Sequence, residues 1–372
     1  MKTSPIQAII DITDVCNQKC LHCFSNSNNK EKSALTLKEI KNSIDQLYKL
    51  GVMAIGISGG EPLMHPDFFE IIDYTHQYSN FVKFDVFTNG VLWTENDIFK
   101  YKKYVSKKNY KLRISFDGYD NDSYYLLRQG GKNDFGLLVR NLEIFDENDI
   151  SYSLQTSLTD STYESRNKII DFALNHTNAS KLNFIPVFSQ GRALKNNIQI
   201  QYENWSKFVN EITNFKKNNL NYMKLDVSFF NYYEVYLPLK EKGDVNDIFN
   251  VWRLPGIENR SSMLGKKQGL CQAGGNFVHI SYDGEVYPCT FSIGLSKFSM
   301  GNIRNNSIEE MLENSEIVDF FQEYDVNDCK GNCSKCEIKT LCGGGCRIQA
   351  FLQLNDLNGI DNRCYLAKKD GK

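Results

Sequence analysis

The sequence predicts an α/β protein, a partial (β/α)6 TIM-like barrel followed by a cysteine-rich C-terminal extension. Six apolar, strand-like runs alternate with helical patterns between residues 6 and 187, and helical crossovers make neighbouring strands parallel. Polar or glycine-rich signals stand directly after four of these strands, and in a β/α barrel the carboxyl ends of the strands carry the site. The extension is predicted by composition, since eight of the eleven cysteines lie from Cys271 onward. Six repeats rather than eight leave the barrel open on one side, toward a bulky substrate.

In order, residues 6–13 read as a buried strand and a polar loop follows to about Lys32. Leu37, Ile40, Ile44 and Leu47 fall at helical spacing, with Thr36 and Glu39 as a capping box and Gly51 as the stop. Val52–Ser58 is the second strand, ending in Gly59-Gly60-Glu61-Pro62; Pro66 opens a helix to about Tyr78. Val82–Thr88 ends in Asn89-Gly90, a helix follows over 95–106, and Lys111–Phe116 ends in Asp117-Gly118. Helices over 134–148 and 162–176 flank a strand at 151–158, and the sixth strand is 181–187. Beyond it come a helix over 203–215, an aromatic strand-like stretch over 222–237 and a short helix over 246–253. These readings give a barrel domain over 1–230, a bridging region over 231–270 where Pro238 and Pro255 mark loops, and the cysteine-rich domain over 271–372.

The 372 residues carry a net charge of −2, which points to neither nucleic acid nor an anionic membrane surface. No apolar run approaches the ~20 residues of a membrane span. Eleven cysteines without a secretion signal favour metal ligation in a cytoplasmic protein over disulfides. The Lys-rich run 100–113 reads as a solvated helix face.

Chemistry concentrates in Cys16-x3-Cys20-x2-Cys23, directly after the first strand. Three thiolates on one loop can hold three irons of a [4Fe–4S] cluster and leave the fourth open for chemistry. Three buried cysteines, or part of a zinc site, are the plainer alternatives.

This motif, together with Gly59-Gly60-Glu61-Pro62 after the second strand, resembles the radical S-adenosylmethionine (SAM) superfamily. The resemblance implies that the open iron is chelated by the amino and carboxylate groups of SAM, with His22 at the aromatic position before the last cysteine. It implies that the Gly59–Pro62 turn contacts the SAM amino group, where Glu61 can accept from an ammonium. Ser115, Asp117 and Arg128 look like the SAM carboxylate or ribose contacts of related enzymes, and Arg192, in Gly191-Arg192-Ala193, resembles another SAM-contacting turn. The implied reaction is one-electron cleavage of SAM to a 5′-deoxyadenosyl radical that abstracts a substrate hydrogen.

The cysteines from 271 on resemble the SPASM extension of the same superfamily: Cys271, Gly284-x4-Cys289, then Cys333-x2-Cys336-x5-Cys342-x3-Cys346, and Cys364. By resemblance Cys333, Cys336, Cys342 and Cys364 hold one auxiliary cluster, and Cys271, Cys289 and Cys346 a second, making three [4Fe–4S] clusters in all. A zinc ribbon at 333–346 is the competing reading. The turn Tyr282-Asp283-Gly284-Glu285 reads as a hairpin that delivers Cys289. The second auxiliary set is one ligand short. It has an open iron, or Cys329 completes it, or Cys329 stays free as a catalytic hydrogen-atom donor.

The resemblance implies a maturase of ribosomally made peptides that forms a thioether or carbon–carbon cross-link or inverts a stereocentre. An external electron donor such as flavodoxin or ferredoxin is expected, and a separate leader-binding protein is possible, because the first strand begins by about residue 6. Sulfatase maturation is the alternative. Enzymes of that kind carry Asp after the Gly-x4-Cys unit, where this chain has Thr290, which cannot act as a base near neutral pH. A non-catalytic iron–sulfur or zinc scaffold is the third reading.

Overall fold

The computed structural model describes residues 5–27, 34–105, 109–218, 224–254 and 271–368. It divides the chain into two compact units, Met1–Gln199 with Ala273–Asp319, and Ile200–Gln272 with Phe320–Lys372. These are not the boundaries that composition suggested, because part of the cysteine-rich segment folds with the barrel.

In the first unit β1 (Gln7–Asp11), β2 (Ala54–Ser58), β3 (Lys83–Thr88), β4 (Tyr110–Ser115), β5 (Tyr152–Leu158) and β6 (Leu182–Pro186) lie side by side, each parallel to the next. Between them run α1 (Leu37–Lys49), α2 (Phe68–Thr75), α3 (Glu95–Val105), α4 (Asn121–Arg128), α5 (Asp134–Glu147) and α6 (Asp160–Asn175). The expected capping box starts α1: Oγ1 of Thr36 accepts from the Glu39 amide, and the Glu39 carboxylate accepts from the Thr36 amide. α4 was not expected; it is short, and its apolar residues Tyr124 and Leu127 cover too few turns to show a period.

The strands alternate by face. Ile10, Ile57, Phe84, Val86, Leu112, Ile114 and Leu154 are sealed from solvent on the face opposite the barrel interior. The interior face carries Asp11, Gly56, Ser58, Asp85, Phe87, Lys111, Arg113, Ser115, Gln155, Ser157 and Asn183, which the parallel register places side by side.

One short strand, β7 (Leu225–Val227), falls in the second unit. The Asp283-Gly284 turn makes the expected hairpin of β8 (Phe277–Ile280) and β9 (Glu285–Tyr287), with Gly284 at φ +86°. β8 pairs in parallel with β1 through Gln7↔Phe277 to Ile10↔Ile280, so the hairpin extends the barrel sheet. The two-residue β10 (Gly301–Asn302) then pairs with β9.

The second unit contains α8 (Tyr202–Asn218) and α9 (Tyr233–Lys242), joined by Trp205 Nε1–H donating to the Glu234 carbonyl at 2.7 Å. The aromatic stretch expected as a strand is therefore helical from Tyr233, and Pro238 lies inside that helix rather than in a bridging loop. Its all-round burial, Tyr233 through Leu239, removes the alternation by which helix and strand are told apart. Pro255 lies outside the described residues.

Candidate active site and cluster-binding cysteines

The loop from Cys16 to Cys23 is anchored by the ends of the barrel strands. After β2, the Gly60 amide donates to the Thr13 carbonyl at 2.7 Å and the Glu61 amide to the Val15 carbonyl at 2.8 Å. A Cβ on Gly59 or Gly60 would sit 2.3 Å from the Thr13 oxygen or 2.2 Å from the Val15 oxygen, so both glycines are required by close backbone contact. After β3, Asn89 Nδ2 donates to Asn17 Oδ1 at 2.7 Å. Beside α4 and α5, the Leu21 amide donates to the Leu127 carbonyl, and buried Gln18 donates to Asp134 Oδ2 at 2.8 Å. After β6, the turn opening α7 (Gly191–Lys195) fits against the loop: the Arg192 amide donates to the Cys23 carbonyl, and a Cβ on Gly191 would meet the Phe24 oxygen at 2.2 Å.

The site residues expected from sequence gather here, several with partners that sequence did not show. Arg192 donates from Nε to the Cys20 carbonyl and from Nη1 to the Ser27 carbonyl, both at 2.7 Å, so these donors hold the loop. Arg128 pairs with buried Asp117 at 2.5 Å and reaches Cys20 Sγ at 3.6 Å from Nη1. Asp117 also accepts from the Ser157 amide at 2.6 Å. The Glu61 carboxylate turns inward, accepting from Thr88 Oγ1 and from the Asn89 amide, each at 2.7 Å; burial still pushes it up to about 7. Oε1 also accepts from the Leu63 amide at 3.5 Å, and Oε2 keeps a lone pair for a further donor. His22 Nε2 lies 3.0 Å from Ser157 Oγ, and burial pushes the imidazole down to about 4, so it is neutral. Its buried Nδ1 has no hydrogen-bond partner among the described residues. Ser115 stands half-buried on the interior face, level with Gln155. Pro62 opens the 3-10 turn Pro62–Met64.

The Cys289 turn completes the mouth of the barrel. The Phe188 ring, after β6, stacks on Phe291 at 3.8 Å between centroids, and Gln190 Nε2 donates to the Ile293 carbonyl at 3.4 Å. The side expected to be open is thus bridged at this end. Beside it, His279 of β8 is fully buried, with Nε2 2.9 Å from Asp11 Oδ2 and Nδ1 3.1 Å from Thr290 Oγ1. A carboxylate only accepts, so Nε2 carries the proton and Nδ1 accepts from the Thr290 hydroxyl. Thr290 is half-buried, and its oxygen retains its acceptor capacity.

Of the other thiols, all but Cys289 lie in the second unit. Cys333 is raised to about 12 by burial and then by the charges of Cys329, Cys364 and Cys336; Cys342 is raised by burial and then by Cys364, Asp361 and Cys333. Cys346 is raised to about 11 by burial, and Cys271 is among its charged neighbours. Cys364 and Cys336 thus stand near Cys333 and Cys271 near Cys346, and Cys329, outside the expected four-cysteine set, also stands near Cys333. Cys289 belongs to the first unit. The structure seats Cys329 with Cys333, in a cluster with Tyr324 and Val326, where Tyr324 Oη is 2.8 Å from its sulfur. That setting differs from the one expected of a fourth ligand for the Cys271 and Cys346 set. Gly343, Gly344 and Gly345 all have positive φ and turn the chain from Cys342 to Cys346. Buried Asp361 accepts from the Cys346 amide and from Arg363 Nη2, both at 2.7 Å.

The donor set suits iron–sulfur chemistry. Burial raises Cys16 to about 12, so a thiolate there needs cationic metal beside it. Among the described residues no three His, Cys, Asp or Glu side chains converge as ligands of one ion. A cluster that gives each thiolate its own iron requires no such convergence.

Residues 10–173 match the Radical SAM superfamily and residues 271–337 match SPASM, an iron–sulfur cluster-binding domain. The chain is a radical SAM enzyme with a SPASM domain. It is 25% identical to mycofactocin maturase MftC of Mycolicibacterium smegmatis, over 97% of this chain and 83% of that protein. It is 24% identical to the AdoMet-dependent heme synthase of Methanosarcina barkeri, over 100% of this chain and 99% of that protein. In fold it is similar to Streptococcus suis SuiB bound to the precursor peptide SuiA, with a TM-score of 0.74 and 15% identity over 98% of this chain and 76% of that one. Radical SAM enzymes of this kind bind [4Fe–4S] clusters and SAM. No described helix is long and apolar enough to cross a membrane.

Asp11, Gln18, His279, Asp361 and Gly343–Gly345 were not singled out from sequence. The run of three glycines between Cys342 and Cys346 was a readable signal; the pairing of Asp11 with His279, 268 positions apart, was not.

Proposed function

We propose that this enzyme abstracts hydrogen from a ribosomally made precursor peptide, leaving a thioether, a carbon–carbon cross-link or an inverted residue. The observation that carries this reading is the interior strand face near the cysteine loop. Ser115, Ser157 and the hydrogen-bonded pair Gln155 and Asn183 offer amide-sized donors and acceptors there, suited to a peptide backbone rather than a flat apolar macrocycle. The similarity to a peptide maturase supports it.

Cys16, Cys20 and Cys23 would hold the SAM-binding cluster, which supplies the 5′-deoxyadenosyl radical from SAM when reduced by a flavodoxin- or ferredoxin-like donor. Cys333, Cys336, Cys342 and Cys364 would hold one auxiliary cluster, and Cys271, Cys289 and Cys346 another. The chain's own residues do the rest. Arg128 offsets charge at Cys20, neutral His22 keeps Nδ1 for a bound group, and Ser115 and Glu61 offer polar contacts to SAM. At the mouth, Thr290 accepts a proton from a polar group of the peptide and passes its own to His279 Nδ1, while Asp11 balances the imidazolium. This chain thus has a route for the proton that Thr290 alone could not take. Sealed beside Cys333, Cys329 acts as a ligand-shell residue in this reading.

The test is anaerobic incubation of reconstituted enzyme with SAM, reductant and short peptides translated from reading frames beside its gene, with a sulfatase-motif peptide and a porphyrin in parallel. Mass change on a precursor peptide, with 5′-deoxyadenosine released, is expected. Formylglycine in the sulfatase peptide, or conversion of the porphyrin alone, would overturn the reading.

A further inference from the structure

Arg347 opens the helix Arg347–Leu354, directly after Cys346, and is sealed from solvent at 1% exposure. Burying a guanidinium costs free energy unless a counter-charge meets it. Among the described residues no carboxylate lies within ion-pair distance of Arg347. The neighbouring carboxylate, Asp361, is committed to Arg363, accepting from Nη2 at 2.7 Å and from Nε at 3.1 Å, and Glu234 accepts from Arg363 Nη1 at 3.1 Å. Arg347 donates instead to four carbonyls: from Nη1 to Leu357 and Gly359, both at 2.9 Å, from Nε to Gly345 at 3.4 Å, and from Nη2 to Gly344. A guanidinium has five N–H donors, so one hydrogen on Nη2 is left over. The carbonyl dipoles hold the group in place but do not cancel its charge.

Thiols of both expected auxiliary sets surround it. Its charged neighbours are Tyr324, Cys329, Asp361 and Cys346, and Cys333 has Arg347 among its own. A Cβ on Gly344 would stand 3.0 Å from Arg347 Nη2, 2.4 Å from Cys329 Sγ and 3.1 Å from Tyr324 Oη, so the three side chains converge on one glycine. Tyr324 Oη is 2.8 Å from Cys329 Sγ, and the Tyr324 ring lies 5.5 Å from the Arg347 guanidinium.

We infer that Arg347 is the buried counter-charge of the auxiliary iron–sulfur clusters and holds their reduction potentials up. A thiolate-ligated [4Fe–4S] core is an anion and becomes more negative on reduction, so a fixed cation nearby favours the reduced form. Net charge and hydrogen bonds to sulfur are among the levers that set such potentials, and Arg347 brings both a charge and a spare N–H. A backbone clamp alone would need the donors and not the charge. The inference rests on the auxiliary ligand sets proposed above and goes beyond them by assigning a tuning residue that is not itself a ligand.

The test uses the full chain carrying Cys16→Ala, Cys20→Ala and Cys23→Ala, reconstituted anaerobically, so that the remaining iron is auxiliary. Iron analysis and a redox titration followed by electron paramagnetic resonance are compared with and without a change at Arg347. Arg347→Gln is expected to titrate at a potential lower by at least about 59 mV, a tenfold shift in a one-electron equilibrium. Arg347→Lys, which keeps the charge and gives up carbonyl bonds, is expected to titrate close to its parent. Iron lost from Arg347→Gln but retained in Arg347→Lys would support the inference equally, because charge is what separates the two. An unchanged or raised potential in Arg347→Gln, a fall of the same size in both variants, or loss of iron from both would overturn it and leave Arg347 a clamp. A parent chain that takes up no iron would overturn the auxiliary ligand sets, and the inference with them.

Discussion

The two cysteine-bearing regions are built on different plans. The Cys16–Cys23 loop is held by groups other than its thiols: paired backbone amides at Gly60 and Glu61, the Gly191 turn, and the side chains of Gln18, Asn89 and Arg192. The segment from Cys333 to Cys364 has only short helices, Lys339–Cys342 and Arg347–Leu354, and buries several thiols close together. On the proposed ligand assignment, the first region would keep its shape before metal arrives, and the second would gather its ligands at an electrostatic cost that metal removes. The first plan suits a loop that must present an open coordination position to SAM. The second suits a cluster that also staples the chain.

The largest expected effect follows from that difference. Cys333→Ala should lower soluble yield and iron content together and make the C-terminal segment protease-sensitive; normal yield with full iron would break the comparison. Next, Cys16→Ala, Cys20→Ala or Cys23→Ala should abolish 5′-deoxyadenosine formation while circular dichroism and soluble yield stay close to wild type. Wild-type SAM cleavage in any one of them would remove that loop from the active site.

Much of this contrast was legible in sequence, for stated reasons. The barrel repeats, the capping box at Thr36 and the hairpin at Asp283-Gly284 are local signals, and local signals survive in a linear string. The cysteine spacings were also local. What was not legible depends on contacts between distant segments. The pairing of β8 with β1, the Asp11–His279–Thr290 chain and the reuse of Arg192 as a loop clamp each join residues far apart in sequence. The helix from Tyr233 was misread because a segment buried on every side shows no period.

Smaller effects sharpen the picture of the clamped loop. Arg128→Gln strands the buried Asp117 charge, for which about 3–5 kcal/mol of stability is the usual cost of breaking a buried pair; thermal unfolding should show it, with SAM cleavage reduced as well. Gly60→Ala forces the Val15 carbonyl away and should cost about 1–3 kcal/mol, with a loss of SAM cleavage larger than the stability change alone explains. Arg192→Lys gives up one of two carbonyl bonds, about 1 kcal/mol; its effect on SAM affinity, measured by equilibrium binding, should be modest. A complete loss of SAM binding in that variant would instead make Arg192 a direct ligand contact.

The most direct test of the account is hydrogen–deuterium exchange on the metal-free chain compared with the anaerobically reconstituted one. The account predicts that amides of residues 18–23 and of the strands around them stay protected without iron, while those of 333–364 lose protection. Equal protection of 333–364 in both forms, or loss of protection at 18–23 on removing iron, would contradict it.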